Sequence, residues 1–314
     1  MTNFQQTLST ITDYIKADIF PGASLALYDG QDWQEHYLGT QDGNHPVVPG
    51  LTYDLASVSK VVGVGTLCLF YLQAGKLDLD EKLSTYYPAI ADKTLTLRQL
   101  LSHSSGIDPF IPNRDDLDQA GLIAAINAIK VKADKPFLYT DINFILLGLM
   151  LEKVSGQTLD KLFDSEIFQP FGMFETGFGP VDHAVPTVEG VPGGTVHDPK
   201  ARVLKEHTGS AGLFSTLKDL EIFVNHYLTD DFAKNMTQNI SQSNKERSIA
   251  WDLQGEWILH TGYTGTFVLI NIPAQRAAIF LSNRTYYKDE RAQWIKDRDA
   301  LIEIMKEELV HSDK

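Results

Sequence analysis

An α+β fold, with an antiparallel sheet flanked by helices beside a mostly helical region, is predicted by three features of this 314-residue sequence. Strand-like segments gather at both ends of the chain, helix-like segments fill its middle, and the final stretch is helical again. Segments distributed in this way bury their apolar faces when the two ends build one sheet and the middle packs beside it. The expected division is residues 1–77 with 204–314 as an α/β domain and residues 78–203 as a helical domain, with a pocket at their junction.

Taken in order, Phe4, Leu8, Ile11 and Ile15 recur at helical spacing in the N-terminal stretch. GASLALYDG and WQEHYLGT read as strands joined at Asp29-Gly30, and YDLA as a further short strand. A wholly apolar helix then begins at Ser57 and is closed by Gly75 as its C-cap. LTLRQLLSHSSG, GLIAAINAIK, DINFILLGLMLEKVSG and LDKLFDSEIF are helical patterns separated by connections containing Pro and Gly, and strand signals there are sparse. STLKDLEIFVNHYL is helical, IAWDLQ, EWILHTG, TGTFVLINIP and RAAIFLSN read as successive strands, and a long helix closes the chain from about Asp289. There is no internal repeat, low-complexity tract or flexible linker.

Composition narrows the functional classes. A net charge of −14 without a basic run disfavours a nucleic-acid or anionic-membrane surface and favours a small-molecule substrate. The longest apolar run, Val61 to Leu72, is too short to span a bilayer. The N-terminus lacks the basic-then-apolar layout of a secretory signal, and Cys68, the single cysteine, cannot form an intrachain disulfide. Both features fit a cytoplasmic location. No H-E-x-x-H or cysteine pair occurs, and His197-Asp198 has no companion ligands, so neither a metal nor a cofactor is expected. The sequence sets no oligomeric state.

Lys60 is out of place in that apolar helix. Ser57 lies three residues earlier, a spacing that stacks two side chains on one helix face. The hydroxyl then stands at the positive end of the helix dipole, where it serves either as a cap or as a nucleophile. A serine hydroxyl needs a base, and a desolvated lysine favours its neutral form. Burial is thus expected to make Lys60 that base. Ser215-Thr216-Leu217-Lys218 repeats the spacing but reads as a helix start, with Thr216 as cap and Asp219 in a capping-box position.

Two further segments extend the pattern: Tyr139-Thr140-Asp141 opens a helix, and His260-Thr261-Gly262 ends a strand. In order and spacing these resemble the serine β-lactamase and penicillin-binding-protein family, on the branch of class C β-lactamases, D-alanyl-D-alanine carboxypeptidases and their esterase relatives. PGASLALYDG, DLASVSK, GKLDLDEKLSTYYP, LTLRQLLSHSSGI, FLYTDINFILLGLMLEKVSG, VHDP, SAGLFSTLKDL and HTGYTG carry the resemblance, which therefore runs through nearly the whole chain. It implies a β-lactamase/transpeptidase-like fold and a covalent acyl-enzyme. It also implies that Ser57 attacks, Lys60 takes its proton, and Tyr139 relays a proton to the leaving group. Asp141, His260, Thr261, Gly262 and Tyr263 become substrate-binding residues, with the backbone N–H groups of Ser57 and Tyr263 as oxyanion hole.

Two positions depart from the commoner family pattern. His260 stands where many relatives have lysine, which removes a permanent charge. Asp141 stands where asparagine is commoner, and an ionised carboxylate can only accept a hydrogen bond. Beside Lys60 it favours the charged amine and opposes the base role unless Tyr139 shares the proton.

The remaining candidates read as structural: His207-Thr208-Gly209 as a turn and His103, among serines, as part of a loop. No Gly-x-Ser-x-Gly elbow is present, which argues against an α/β-hydrolase. The expectation is a serine hydrolase of small esters or amides, esterase-type favoured. The alternatives are a D-alanyl-D-alanine carboxypeptidase, a weak β-lactamase, or a penicillin-binding sensor that acylates without turnover.

Overall fold

The computed structural model describes residues 4–311. Helix α1 (Gln5–Lys16) leads into the hairpin of β1 (Gly22–Tyr28) and β2 (Trp33–Gly39), and β3 (Thr52–Asp54) follows. The apolar segment after it changes pitch twice. A 3-10 turn (Ala56–Val58) gives way to a π-helix (Val61–Gly65) and then to α2 (Thr66–Gln73). The middle runs through α3 (Leu83–Tyr86), α4 (Leu97–Leu101), α5 (Gln119–Asn127), α6 (Asp141–Ser155), α7 (Leu159–Phe163), α8 (Gln169–Phe171), the short strand β4 (Gly177–Phe178) and α9 (Pro199–Leu204). The C-terminal part holds β5 (Leu213–Thr216), α10 (Leu217–Thr229), β6 (Asp252–Gln254), β7 (Trp257–Thr261), β8 (Phe267–Asn271), β9 (Arg276–Ser282) and α11 (Arg291–Val310).

The main sheet has the order β2-β1-β9-β8-β7-β6 with every neighbouring pair antiparallel. The chain ends meet where β1 pairs with β9, Leu25 standing opposite Phe280. Period-two alternation sends Leu25, Leu269 and Phe280 to the face covered by α1 and α11, while Ala26, Ile270 and Ile279 join the larger core with residues of α2, α6 and α10. Both faces are apolar because both are covered.

Three expectations change. SAGLFST, where no strand was expected, contains β5, the centre of a second sheet ordered β3-β5-β4. β4 and β5, two and four residues long, carry too little periodicity to be seen in the sequence, whereas β3 overlaps the strand expected at YDLA. The closing helix starts at Arg291, two residues later than expected. The apolar run is part of a longer helical stretch, Ala56–Gln73, whose length and composition do suffice to cross a membrane. Yet 78% of that stretch is buried inside the fold, as a core helix requires.

The π-turn carries its own support. Thr66 Oγ1 donates to the Val61 carbonyl at 2.7 Å and lies 2.8 Å from the Tyr227 hydroxyl. A Cβ at Gly63 would overlap the Phe163 ring, so the turn sits against α7 with no room for a methyl group. Gly63→Ala is expected to destabilise the protein by about 1–3 kcal/mol. Its denaturant midpoint should fall; an unchanged midpoint contradicts the close packing.

Candidate active site

The helical stretch from Ala56 presents Ser57 and Lys60 together. Ser57 is half-buried at the wall of a cleft of about 1010 Å³, and Lys60 lies fully buried behind it. The i,i+3 contact survives the change of helix type, with Lys60 Nζ 2.7 Å from Ser57 Oγ. The amine also donates to Asp141 Oδ1 at 2.8 Å and to the Ser210 carbonyl at 2.9 Å, so all three ammonium protons have acceptors. Burial pulls the Lys60 pKa down, but the Asp141 carboxylate and Tyr139 outweigh it, and the net direction is upward. The expectation that burial would make Lys60 neutral is therefore corrected: the resting lysine is an ammonium.

Asp141 opens α6, behind the Thr140 N-cap. Its second oxygen accepts from Lys200 Nζ at 3.0 Å, and Lys200 also reaches Asp198 at 3.2 Å. Burial alone would raise the Asp141 pKa; Lys60 and Lys200 instead hold it below the usual carboxylate range. A chain of alternating charge thus runs Lys60, Asp141, Lys200, Asp198. Tyr139 lines the cleft with its ring 5.1 Å from Lys60 Nζ. His103 stacks on that ring at 4.3 Å, and the His260 ring is 6.2 Å away.

The strand edge contributes the opposite wall. Thr261, Gly262 and Tyr263 line the cleft. His260 is buried, and neither of its ring nitrogens has a hydrogen-bond partner among the described residues. Burial, followed by the charges of Lys60 and Arg247, holds its imidazole well below the usual range, so it is neutral. The turn after β7 is fastened to the serine segment: Thr264 Oγ1 donates to the Asp54 carbonyl and Thr266 Oγ1 to the Leu55 carbonyl, each at 3.0 Å. A Cβ at Gly262 would overlap Thr266 Oγ1 and stand 2.7 Å from Leu55 O, so only glycine allows this approach. Tyr263 Oη donates to Asp289, and its ring lies under Arg284 at 4.7 Å and faces His197 at 5.5 Å.

The other candidates lie elsewhere. Ser215 is buried against Thr176 at 2.7 Å, Thr216 caps α10, and Lys218 pairs with Glu221 and Glu35. His207 pairs with Glu152 at 2.8 Å. His103 Nδ1 stands 2.9 Å from Asn143 Nδ2, and its ring supports Tyr139 from beneath. Sequence reasoning missed Lys200, the Ser210 carbonyl, and the two threonines that fasten the strand edge. VHDP did hold a signal, since Asp198 before Pro199 marks a helix start that places Lys200 in a first turn.

The sequence matches the family described as Beta-lactamase over residues 9–302. It is 26% identical over 303 residues to the Escherichia coli K12 protein named "Putative D-alanyl-D-alanine carboxypeptidase", an alignment covering 76% of this chain and 70% of the relative. The fold matches EstCE1, a hydrolase with promiscuous acyltransferase activity, with a TM-score of 0.76 at 18% identity, covering 95% of this chain and 97% of the other. It also matches the β-lactamase/D-alanine carboxypeptidase from Pseudomonas syringae with a TM-score of 0.73 at 18% identity, covering 94% and 97%.

Proposed function

The chain belongs to the beta-lactamase family and is a serine hydrolase, and on that premise we propose that Ser57 forms its acyl-enzyme and that a small ester is its preferred substrate. The observation that carries the reading is the 2.7 Å contact between Lys60 Nζ and Ser57 Oγ at the wall of the cleft. Because Lys60 is charged at rest, the reactive state has lost one proton and holds the remaining one between Lys60 and Tyr139. That pair takes the Ser57 proton as Oγ bonds to the substrate carbonyl carbon. The N–H groups of Ser57 and Tyr263 stabilise the oxyanion, and the proton leaves with the departing alcohol. Water repeats the sequence on the acyl-enzyme.

Two features favour an ester over a β-lactam. Asp141 can only accept, and both its oxygens are engaged by lysines, so it gives no N–H to an acylamide carbonyl. The neutral, buried His260 gives no charge to the carboxylate of such a substrate. Asp141→Asn is expected to raise acylation by a penicillin relative to a simple aryl ester by up to about tenfold, the worth of one hydrogen bond of roughly 0.5–1.5 kcal/mol. A penicillin-to-ester ratio that stays flat or falls across pH assigns selectivity elsewhere.

One observation favours D-alanyl-D-alanine carboxypeptidase as the second reading. Arg298 Nη1 lies 3.3 Å from Thr261 Oγ1, which puts a cation beside the strand edge where a terminal carboxylate would lie. A hydrolysis panel of short-chain aryl esters, a D-Ala-D-Ala peptide and a chromogenic cephalosporin decides between the readings. Steady turnover fastest on the esters supports the proposal; faster peptide cleavage supports the second reading. A single stoichiometric burst on every substrate identifies a non-turning-over binder.

A further inference from the structure

Asp54 is a buried carboxylate that the acylation chemistry does not use. It ends β3, and its two oxygens serve different segments: Oδ1 accepts the Ala56 N–H and Oδ2 the His197 N–H, each at 2.8 Å. Ala56 holds φ at +46°, a left-handed conformation that a residue with a Cβ adopts only when its surroundings impose it. That residue directly precedes Ser57. His197 directly precedes Asp198, the N-cap of α9, which accepts from Ala201 N at 2.8 Å and so orients the turn bearing Lys200.

We propose that Asp54 is a positioning residue for acylation, closing a ring of contacts that sets the Ser57 turn and the Lys200 turn relative to each other. The ring runs from Asp54 through Ala56 to Ser57, on to Lys60 at 2.7 Å, Asp141 at 2.8 Å and Lys200 at 3.0 Å, and back through Asp198 and His197. Asp54 therefore acts through its neighbours without touching substrate. The inference rests on the reading of Ser57 as nucleophile.

The ionised carboxylate accepts strongly at both oxygens. A protonated one carries its hydrogen on one of them, which weakens that oxygen as the acceptor of its N–H. Burial raises the Asp54 pKa to about 6, the charge of Asp198 adds to this, and the two N–H bonds work against it. The other groups around Asp54 carry no charge towards it: Thr264 binds its carbonyl, and the His197 imidazole turns to Thr187 at 3.1 Å and to the Tyr263 ring. Between about 6 and the ordinary 3.8 the native state binds this proton more tightly than the unfolded chain, so uptake by Asp54 stabilises the fold as pH falls. The positioning role predicts the opposite trend for activity.

The test is the rate of Ser57 labelling by a fluorophosphonate from pH 5 to 8 in the wild type and in Asp54→Asn, with thermal midpoints measured alongside. The ratio of the wild-type rate to that of the variant should fall up to about tenfold between pH 7 and pH 5, following the ionised fraction of Asp54, because the proton that the Lys60–Tyr139 pair must lose slopes both profiles alike; the wild-type midpoint rises relative to that of the variant over the same range. Asp54→Asn should label several-fold more slowly at pH 7.5 and lack the additional downturn near pH 6. A variant that labels at the wild-type rate, or keeps that downturn, overturns the proposal. If the variant does not fold, a wild-type profile with no change of slope between pH 5 and 7.5 overturns it equally. Labelling at Ser57 with identical profiles defeats this inference alone, whereas absence of labelling at Ser57 defeats the nucleophile as well.

Discussion

Ser57→Ala should reduce hydrolysis of an aryl ester to the background rate, a loss on the order of 10⁵–10⁶-fold in kcat, and should abolish covalent labelling by a fluorophosphonate. Loss of the hydroxyl removes the serine that Lys60 touches, and the other serines near the site are engaged elsewhere. Ser102, Ser104 and Ser105 are buried, with Ser102 and Ser104 bonded to each other at 2.8 Å and Ser105 bonded to Asn143 at 2.7 Å. Ser215 has the same spacing to a lysine, but its hydroxyl faces Thr176 and its lysine faces solvent and Glu221. Ser215→Ala should therefore leave both readouts nearly intact, and a reversed result would exchange the two assignments.

The second large effect is expected from Lys60 and Tyr139, and its form is more informative than its size. Lys60→Ala and Tyr139→Phe should each slow acylation by roughly 10²–10⁴-fold, the range of a lost general acid or base. If the reactive state holds one proton between them, the double variant should be little slower than the poorer single variant. Multiplying losses would mean independent roles. Lys60→Ala also leaves Asp141 with Lys200 as its remaining cation, so rates belong well below the unfolding midpoint. The same scheme fixes a pH trend. Asp141 raises the Lys60 pKa and so delays loss of the proton that the reactive state must shed. Acylation by an ester should rise with pH on the alkaline side, and Asp141→Asn should move that rise to lower pH. A limb that does not move contradicts the coupling.

What could be read from the sequence was local or strongly periodic. Ser57 and Lys60 sit on one helical segment, and Tyr139 stands two residues before Asp141 at the start of α6, so nearness in sequence put each pair together; the strand order of β7 to β9 follows from successive hairpins. The Lys60 charge was not legible, because it depends on a partner 81 residues away at 2.8 Å whose carboxylate outweighs burial. Asp141 did carry that warning in the sequence. Lys200 and the Ser210 carbonyl were invisible for the same reason: their contacts depend on how distant segments meet. Strands β4 and β5 went unseen because two to four residues hold no period, whereas β3, read at YDLA, carries Asp54 and with it the frame of the serine turn. His260 was expected at the cleft, but it is buried with its ring 6.2 Å from that of Tyr139, and Thr261, Gly262 and Tyr263 line the cleft.

The most direct test of the central claim is time-resolved intact-mass spectrometry of the protein mixed with excess aryl ester and quenched in acid, followed by peptide mapping. An acyl-enzyme on Ser57 predicts one added acyl group per chain that appears with release of the phenol, persists while substrate remains, decays afterwards, and maps to the peptide containing DLASVSK. Turnover without any adduct, or an adduct mapping to Ser215 or another residue, would contradict it.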